Sequence, residues 1–169
     1  IIEEGYPRND RLFHTDSKAV LKLLDKYGVE VDSKKDIILY APTWKGSDYN
    51  HPSIDVDEYI NFKRDLEAII DTDKYQVLLK PHQVVYKEMK KAGLLSDSLI
   101  PAFIDTNELL AVTDILISDY SSIFYDYLAT DKPVLFYIPD IDEYKNYRGL
   151  YLSPDQLPGP CLTKVDQIG

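Results

Sequence analysis

A strand–turn–helix–strand unit toward the end of the chain constrains the fold more than any other feature. Two short apolar runs, Ile115–Ile117 and Pro133–Ile138, flank a segment with helical spacing. The turn Ser118–Ser122, with the sequence SDYSS, joins the first run to the helix. At such a junction backbone N–H groups lack partners and the helix dipole is positive. The sequence therefore predicts a turn that can bind an anion, with ordinary helix capping as the alternative.

Strands and helices alternate along the rest of the chain. Short apolar runs predict two more buried parallel strands, at 36–41 and 75–79. Helical spacing and capping residues predict helices at 18–27, 55–70, 84–92 and 106–112, the last with Thr106 as its cap. This alternation is typical of the α/β class, a Rossmann-like parallel sheet with helices on both faces.

Three segments carry weaker signals. The run 99–103 is interrupted by Pro101, so we expect a weak strand toward an edge of the sheet. Pro139–Gly149 is polar and rich in tyrosine, and we predict a loop there. Tyr151–Leu152 is the candidate for a last short strand.

Composition limits the class of protein and its partners. A length of 169 residues is enough for one α/β domain with its own core. The net charge of −10, from 19 basic and 29 acidic residues, makes free nucleic acid an unsuitable partner. Cys161 is the single cysteine, so no disulfide can form within the chain. The sequence has no signal peptide and no apolar run of membrane-spanning length, and we expect a cytoplasmic protein.

Loops that follow the predicted strands carry polar side chains suited to phosphate. Ligands of open parallel sheets bind outside the carboxyl ends of the strands, where the strand order reverses. The loops 43–46, 80–83 and 118–122 meet this description. They bring cationic, imidazole and hydroxyl groups to one rim: Thr43, Lys45, Lys80, His82, Ser121 and Ser122. The sequence therefore predicts a phosphate site in an otherwise acidic protein.

Two residues of this region suggest more specific roles. Pro81 fixes the backbone between Lys80 and His82, and His82 could protonate or hydrogen-bond a leaving phosphate near neutral pH. Asp126 lies four residues after Ser122, so on a helix it is placed to accept the hydroxyls of a ribose. The alternatives are a surface or core histidine and an ordinary solvated helix acid.

The sequence lacks the usual signatures of metal and nucleotide cofactors. No pair of histidines or cysteines has metal-ligand spacing, and neither a G-x-G-x-x-G segment nor a P-loop is present. We therefore predict no metal site and no cofactor.

Taken together, the segments resemble the CDP-glycerol glycerophosphotransferase family, the teichoic acid polymerases and primases. Each segment alone is a weak signal, but seven in the family's order are specific, and they cover nearly the whole chain. In chain order they are 5–10 (GYPRND), 39–45 (LYAPTWK), 78–82 (LLKPH), 114–127 (DILISDYSSIFYDY), 133–137 (PVLFY), 140–144 leading to Arg148 and Gly149, and 157–160 (LPGP). The family pattern often continues KPH with another proline, where this chain has Gln83.

The resemblance implies a domain organisation. The family has a GT-B fold of two Rossmann-like halves with the active site between them, and this chain looks like the second half, which binds the nucleotide donor. On this view residues 1–14 are an interdomain connector and residues 15–169 a donor-binding domain, a fragment of a longer enzyme that is inactive alone. The catalytic base for the acceptor hydroxyl is then expected in the missing N-terminal half.

The resemblance also implies an activity and roles. The reaction is transfer of glycerol phosphate from CDP-glycerol to a polyol-phosphate or related glycan acceptor in cell-wall polymer synthesis, with CMP leaving. The implied assignment is that His82 is catalytic, that Asp126 binds ribose, and that the donor phosphates contact Lys80, Ser121, Ser122, Arg8, Thr43, Lys45 and Arg148. The family works at the inner face of the cell membrane, so peripheral attachment is expected of the full-length protein.

Three alternatives stay open from the sequence. The donor could be CDP-ribitol in a closely related enzyme. The chain could belong to another GT-B enzyme, a UDP-sugar glycosyltransferase or epimerase, because the phosphate site would be shared. It could also be a non-catalytic nucleotide-binding domain that has kept the fold.

Overall fold

The computed structural model describes residues 5–48, 51–53, 56–147, 149 and 152–168, without the side chains of 45–48, 51–53 and 146–147. In this part of the chain the strands are β1 (Asp36–Tyr40), β2 (Lys45–Asp48), β3 (His51–Ser53), β4 (Tyr75–Leu79), β5 (Ile115–Ser118), β6 (Val134–Tyr137) and β7 (Cys161–Leu162). The α-helices are α1 (Asp10–His14), α2 (Ser17–Lys26), α3 (Val56–Glu67), α4 (Gln83–Lys91), α5 (Thr106–Val112), α6 (Ile123–Tyr127) and α7 (Ile141–Tyr147).

Five strands form a parallel sheet in the order β4-β1-β5-β6-β7, and β2 and β3 form a separate antiparallel pair. From β1 the chain runs outward to β4, then crosses back to β5 on the other side of β1. The strand order therefore reverses between β1 and β5. This is the switch point at which open α/β sheets bind their ligands.

Helices pack on both faces of the sheet, which confirms the predicted fold class. Alternate residues of β1 point to opposite faces. On one face Leu39 belongs to a core with Leu24 of α2 and Leu109 of α5. On the other face Tyr40 stacks on Phe62 of α3, with ring centroids 3.8 Å apart. Each buried leucine or phenylalanine contributes roughly 2 kcal/mol by removing apolar surface from water.

The segment predicted as a connector packs against this domain. It forms a 3-10 turn at Pro7–Asn9 and then α1, whose Leu12 is buried in the same core as Leu39. The buried side chain of Asn107 in α5 donates to the carbonyl of Arg8 at 3.0 Å and to Oδ1 of Asn9 at 3.1 Å. The boundary between residues 14 and 15 stays a prediction.

Several local predictions were wrong, each because a side-chain or tertiary contact decided the outcome. The cap of α5 is Asp105, whose carboxylate accepts from the N–H groups of Asn107 and Glu108, and Thr106 is the first helical residue. The expected strand at 99–103 is reduced to a single bridge between Leu99 and Leu79 beside the β4 edge. The next bond of that ladder would need the N–H of residue 81, and Pro81 has none.

The segment 139–149 was predicted as a loop but contains α7. Its composition is polar, yet Ile141 packs against the core and Tyr144 stacks on Tyr120. Tyr151 of the expected last strand lies outside the described residues, and the observed last strand is β7. Gly159 lies just before β7. A larger residue does not fit there, because a Cβ would meet the carbonyl oxygen of Val134 at 2.1 Å.

Among the described residues, no helix is both long and apolar enough to cross a bilayer.

Candidate functional site

A cleft of about 1620 Å³ opens at the carboxyl ends of β1, β4 and β5, at the switch point of the sheet. Every predicted site residue whose side chain the structure describes lines this cleft: Arg8, Thr43, Lys80, His82, Ser121, Ser122 and Asp126. Lys45 lies in β2, but its side chain is not among those described, and Arg148 lies outside the described residues.

Lys80 and His82 leave the carboxyl end of β4 on either side of Pro81. Lys80 continues the sheet, since its N–H donates to the carbonyl of Tyr40 at 2.9 Å. Burial lowers the pKa of the Lys80 ammonium, and the Asp105 carboxylate acts in the opposite direction. A half-buried cation next to a cleft is a good partner for an anion, because water screens it less than a fully exposed one.

His82 caps helix α4. Its Nδ1 accepts from the N–H of Val84 at 3.4 Å, a long bond that assigns the proton of a neutral ring to Nε2. Burial lowers the pKa of the imidazole, and the charge of Lys80 lowers it further. The ring lies 6.2 Å from the ring of Trp44, centroid to centroid. Burial and the charge of Lys80 both favour the neutral form of the imidazole.

Arg8 and Asp126 form an ion pair within the cleft. Nε of Arg8 donates to Oδ1 of Asp126 at 3.1 Å, and Nη2 lies 2.9 Å from Oδ2. The Asp126 side chain is 7% exposed and that of Arg8 57%. This bidentate geometry is the strongest form of such a pair. Both residues were predicted to face the donor, but their contact with each other was not predicted.

Asp119 is a buried charged group of the site, with the same 5% exposure as Asp126. Both of its carboxylate oxygens lie 2.8 Å from the N–H of Thr43, and Oδ1 also accepts from the Thr43 hydroxyl at 2.8 Å. The N–H of Ser121 donates to the same Oδ1 at 3.1 Å. Asp119 thus connects the loop after β1 to the turn after β5.

Burial raises the pKa of Asp119 to about 6, because an ionised carboxylate loses its hydration. The donors on Thr43 and Ser121 act against this shift, and the negative charge of Asp140 adds to it. Prediction from the sequence missed Asp119 as a site residue. The residue type was a usable signal. An Asp at the start of a turn often accepts the N–H two residues later, which is an Asx-turn, and Asp119 accepts that of Ser121.

Two stacked tyrosines form one wall of the cleft. The rings of Tyr120 and Tyr144 lie 3.6 Å apart with planes 13° from parallel. The Tyr120 hydroxyl donates to Oδ1 of Asp140 at 3.0 Å, and burial, with Asp140 nearby, raises the pKa of this phenol. Tyr144 was not predicted as a site residue, because the loop assigned to 139–149 gave no reason to bring it back to the turn.

The described side chains offer no ready place for a metal ion: no group of three or more His, Cys, Asp or Glu is arranged to hold one. The polar groups of the cleft instead suit an anionic ligand with an apolar or aromatic portion. The fold and site together define an α/β protein with an anion-binding cleft at the switch point of a parallel sheet.

Comparison with known proteins gives the family. The profile of the CDP-Glycerol:Poly(glycerophosphate) glycerophosphotransferase family matches residues 1–168. The teichoic acid poly(glycerol phosphate) polymerase of Bacillus spizizenii is 36% identical over 181 residues, covering 99% of this chain and 43% of that protein. The teichoic acid poly(ribitol-phosphate) polymerase of the same organism is 34% identical over 175 residues, covering 99% of this chain and 27% of that protein.

Solved structures agree in fold. The wall teichoic acid polymerase TagF superposes with a TM-score of 0.71 at 31% identity, over 99% of this chain and 41% of that one. A variant of TagF soaked with CDPG gives a TM-score of 0.68 at 33% identity, over 99% of this chain and 40% of that one. This chain belongs to the CDP-glycerol glycerophosphotransferase family, and it spans less than half the length of these relatives.

The raised pKa of Asp119 predicts a stability that falls as pH rises. Between the ordinary pKa of 3.8 and the folded value of about 6, the folded state keeps a proton that the unfolded state has released. Stability contributed by this group is therefore present below pH 4 and lost through pH 6, by about 3 kcal/mol in all. Asp119→Asn removes this dependence, and urea unfolding from pH 4 to pH 7 measures it.

The comparison uses the difference in unfolding free energy between the unmodified protein and Asp119→Asn, which cancels the titration of other groups. That difference should shift in favour of the variant as pH rises from 4 to 7. Glu67→Gln, which removes an acid of the partly exposed pair with Lys63 away from the cleft, is the control. A difference that stays constant with pH would show that Asp119 titrates in its ordinary range.

Proposed function

We propose that this chain supplies the nucleotide-donor site of an enzyme that transfers glycerol phosphate from CDP-glycerol to a polyol-phosphate acceptor in teichoic acid synthesis. The observation that carries the proposal is the meeting of Lys80, His82 and the Ser121–Ser122 turn in one cleft at the switch point. Family membership and the likeness to TagF, a variant of which was soaked with CDPG, support the choice of donor.

The chemistry of the reaction explains why such groups are needed. The acceptor hydroxyl oxygen attacks the phosphorus that carries glycerol, and the bond from that phosphorus to the bridging oxygen breaks. CMP leaves with the electron pair, and the acceptor proton goes to a base. An anionic polymer must approach a charged diphosphate, so neutralising and positioning the diphosphate is the main task of the protein.

The serines, Lys80 and His82 divide this task. The hydroxyls of Ser121 and Ser122 donate to the diphosphate at the start of α6, and the half-buried Lys80 supplies positive charge. The neutral His82 points a donor, Nε2–H, at the leaving phosphate. Because a bound diphosphate is anionic, it raises the pKa of the imidazole, so that His82 gains a proton that it can pass to the departing CMP.

Arg8 and Asp126 are proposed to act as a pair. Arg8 keeps more than half of its side chain exposed while bound to Asp126, so guanidinium N–H groups can also reach a phosphate. Asp126, whose carboxylate has lone pairs beyond those that face Arg8, is proposed to accept the ribose hydroxyls. Contacts of Thr43, Lys45 and Arg148 with the donor phosphates stay predictions.

The organisation of the intact enzyme is part of the proposal. Residues 1–14 act as a connector, residues 15–169 form the donor half, and a first GT-B half supplies the acceptor site and its catalytic base. The intact enzyme acts peripherally at the inner face of the cell membrane, where nucleotide donors are made and the polymer grows. The chain alone is then expected to bind donor without turnover.

A ribitol donor is the second candidate. The observation in its favour is that the poly(ribitol-phosphate) polymerase of Bacillus spizizenii is 34% identical to this chain, against 36% for the poly(glycerol phosphate) polymerase. Both donors share CDP, so the cleft described above serves either polyol.

Calorimetry with this chain tests the donor class. We expect binding of CDP-glycerol and CMP, because the cleft is assigned to the nucleotide and its phosphates. CDP-ribitol serves as the second arm and UDP-GlcNAc as the control for other GT-B donors. Binding of UDP-GlcNAc without binding of any cytidine ligand would contradict the assignment of a CDP donor. Tighter binding of CDP-ribitol than of CDP-glycerol would assign ribitol as the polyol of the donor.

His82→Ala should lower kcat of the full-length enzyme by about 100-fold or more, in the range for loss of a general acid. Donor binding should be partly kept, since Lys80 and the serines remain. Steady-state rates of CMP release and a donor titration of the same variant measure the two effects. Turnover equal to that of the unmodified enzyme would remove His82 from the mechanism.

Asp126→Asn should weaken binding of CDP more than binding of 2′-deoxy-CDP if the carboxylate holds the ribose. We expect the unmodified protein to prefer CDP by about tenfold, the effect of one hydrogen bond to a charged group, and the variant to lose that preference. Arg8→Ala is the matched control, because it breaks the same ion pair but leaves the carboxylate. If Asp126→Asn keeps the preference for CDP over 2′-deoxy-CDP, Asp126 does not bind the ribose and serves only as the ion-pair partner of Arg8.

A further inference from the structure

Asp119 lies where the regular pairing of β1 and β5 ends. The ladder between these strands reaches Tyr40 opposite Ile117, and the N–H of Ala41 still donates to the carbonyl of Ile117 at 2.9 Å. Because alternate residues of a parallel strand pair with opposite neighbours, the next N–H on the β1 side that faces β5 is that of Thr43. This N–H donates to the Asp119 carboxylate rather than to a backbone carbonyl of the β5 segment, so the regular backbone pairing stops here.

Side chains of the β5 segment take over the connection. The hydroxyl of Ser118 donates to the carbonyl of Ala41 at 3.1 Å, and the Asp119 carboxylate then accepts the N–H and the hydroxyl of Thr43. Both Ser118 and Asp119 are buried, at 0% and 5% exposure. The two loops that line the cleft on either side of the switch point are therefore tied together by side-chain contacts.

The same carboxylate also sets the shape of the serine turn. It accepts the N–H of Ser121 at 3.1 Å, so this N–H and the Thr43 hydroxyl proton are already used within the protein. The hydroxyls of Ser121 and Ser122 are not engaged by Asp119, so they can donate to a ligand. Asp119 thus takes one N–H of the turn out of ligand binding.

We propose that Asp119 is a positioning residue that holds the Thr43 loop and the Ser121–Ser122 turn at the spacing which a diphosphate requires. This inference replaces the phosphate contact that the sequence predicted for Thr43, because the N–H and the hydroxyl of Thr43 both donate to Asp119. This inference rests on the proposed function, because the diphosphate belongs to the nucleotide donor. It adds a residue that does not touch the donor and acts through the groups that do.

The test compares two ligands in the full-length protein, CDP and cytidine, by NMR titration. Asp119→Asn keeps the size of the side chain but removes its charge and one accepting oxygen, so the two loops lose their fixed spacing. Affinity for CDP should fall by about tenfold or more, and affinity for cytidine should stay within about twofold. A general loss of structure would lower both, so the ratio of the two affinities separates positioning from stability.

Thr43 gives a second pair of variants that leave Asp119 in place. Thr43→Val removes the hydroxyl donor at nearly constant volume and should lower CDP affinity selectively, while Thr43→Ser keeps the hydroxyl and should bind as the unmodified protein does. Asp114→Asn is the matched control. Asp114 likewise accepts a β1 N–H, that of Ile37 at 2.9 Å, but at the amino end of the strands and away from the cleft.

The outcomes separate this inference from the function on which it rests. If the unmodified protein does not bind CDP, the donor site fails and the role of Asp119 fails with it. If the unmodified protein binds CDP, three results leave the donor site standing and overturn the role of Asp119. They are unchanged CDP affinity in Asp119→Asn, an equal loss of CDP and cytidine, and unchanged CDP affinity in Thr43→Val.

Discussion

The pairing of β1 with β5 is the contact on which the rest of the structure depends. It places side by side two strands whose onward connections leave in opposite directions, and this separation opens the cleft between their carboxyl ends. The pairing is continued past Pro42 by Ser118 and Asp119 rather than by the backbone. Buried polar contacts that join two loops therefore lie directly under the candidate site.

The fold could be predicted from the sequence because its signals are local. The runs that form β1, β4, β5 and β6 are apolar and short, as buried parallel strands require. The errors arose where a distant contact decides. Helix α7 depends on packing of Ile141 and on the stack of Tyr144 with Tyr120, and no local pattern in 139–149 reports those partners.

The site divides in the same way. Lys80, His82 and the serines could be predicted because they follow the predicted strands, and a parallel sheet brings the carboxyl ends of its strands to one edge. Charge pairing was not predictable, since Arg8 and Asp126 are 118 residues apart and their contact depends on how α1 packs on α5. The contacts of Asp119 could not be predicted from its residue type, because an Asp before a helix serves equally as a cap, a ligand or an internal hydrogen-bond acceptor.

The sheet order also determines when during folding the cleft can exist. Asp119 lies 76 positions after its partner Thr43. Their contact can form only after β5 has been synthesised and has docked beside β1. Contacts of such long separation form late, because loop closure must precede them. A chain in which β5 has not yet docked has no assembled cleft, so the candidate site is complete only once the whole sheet has formed.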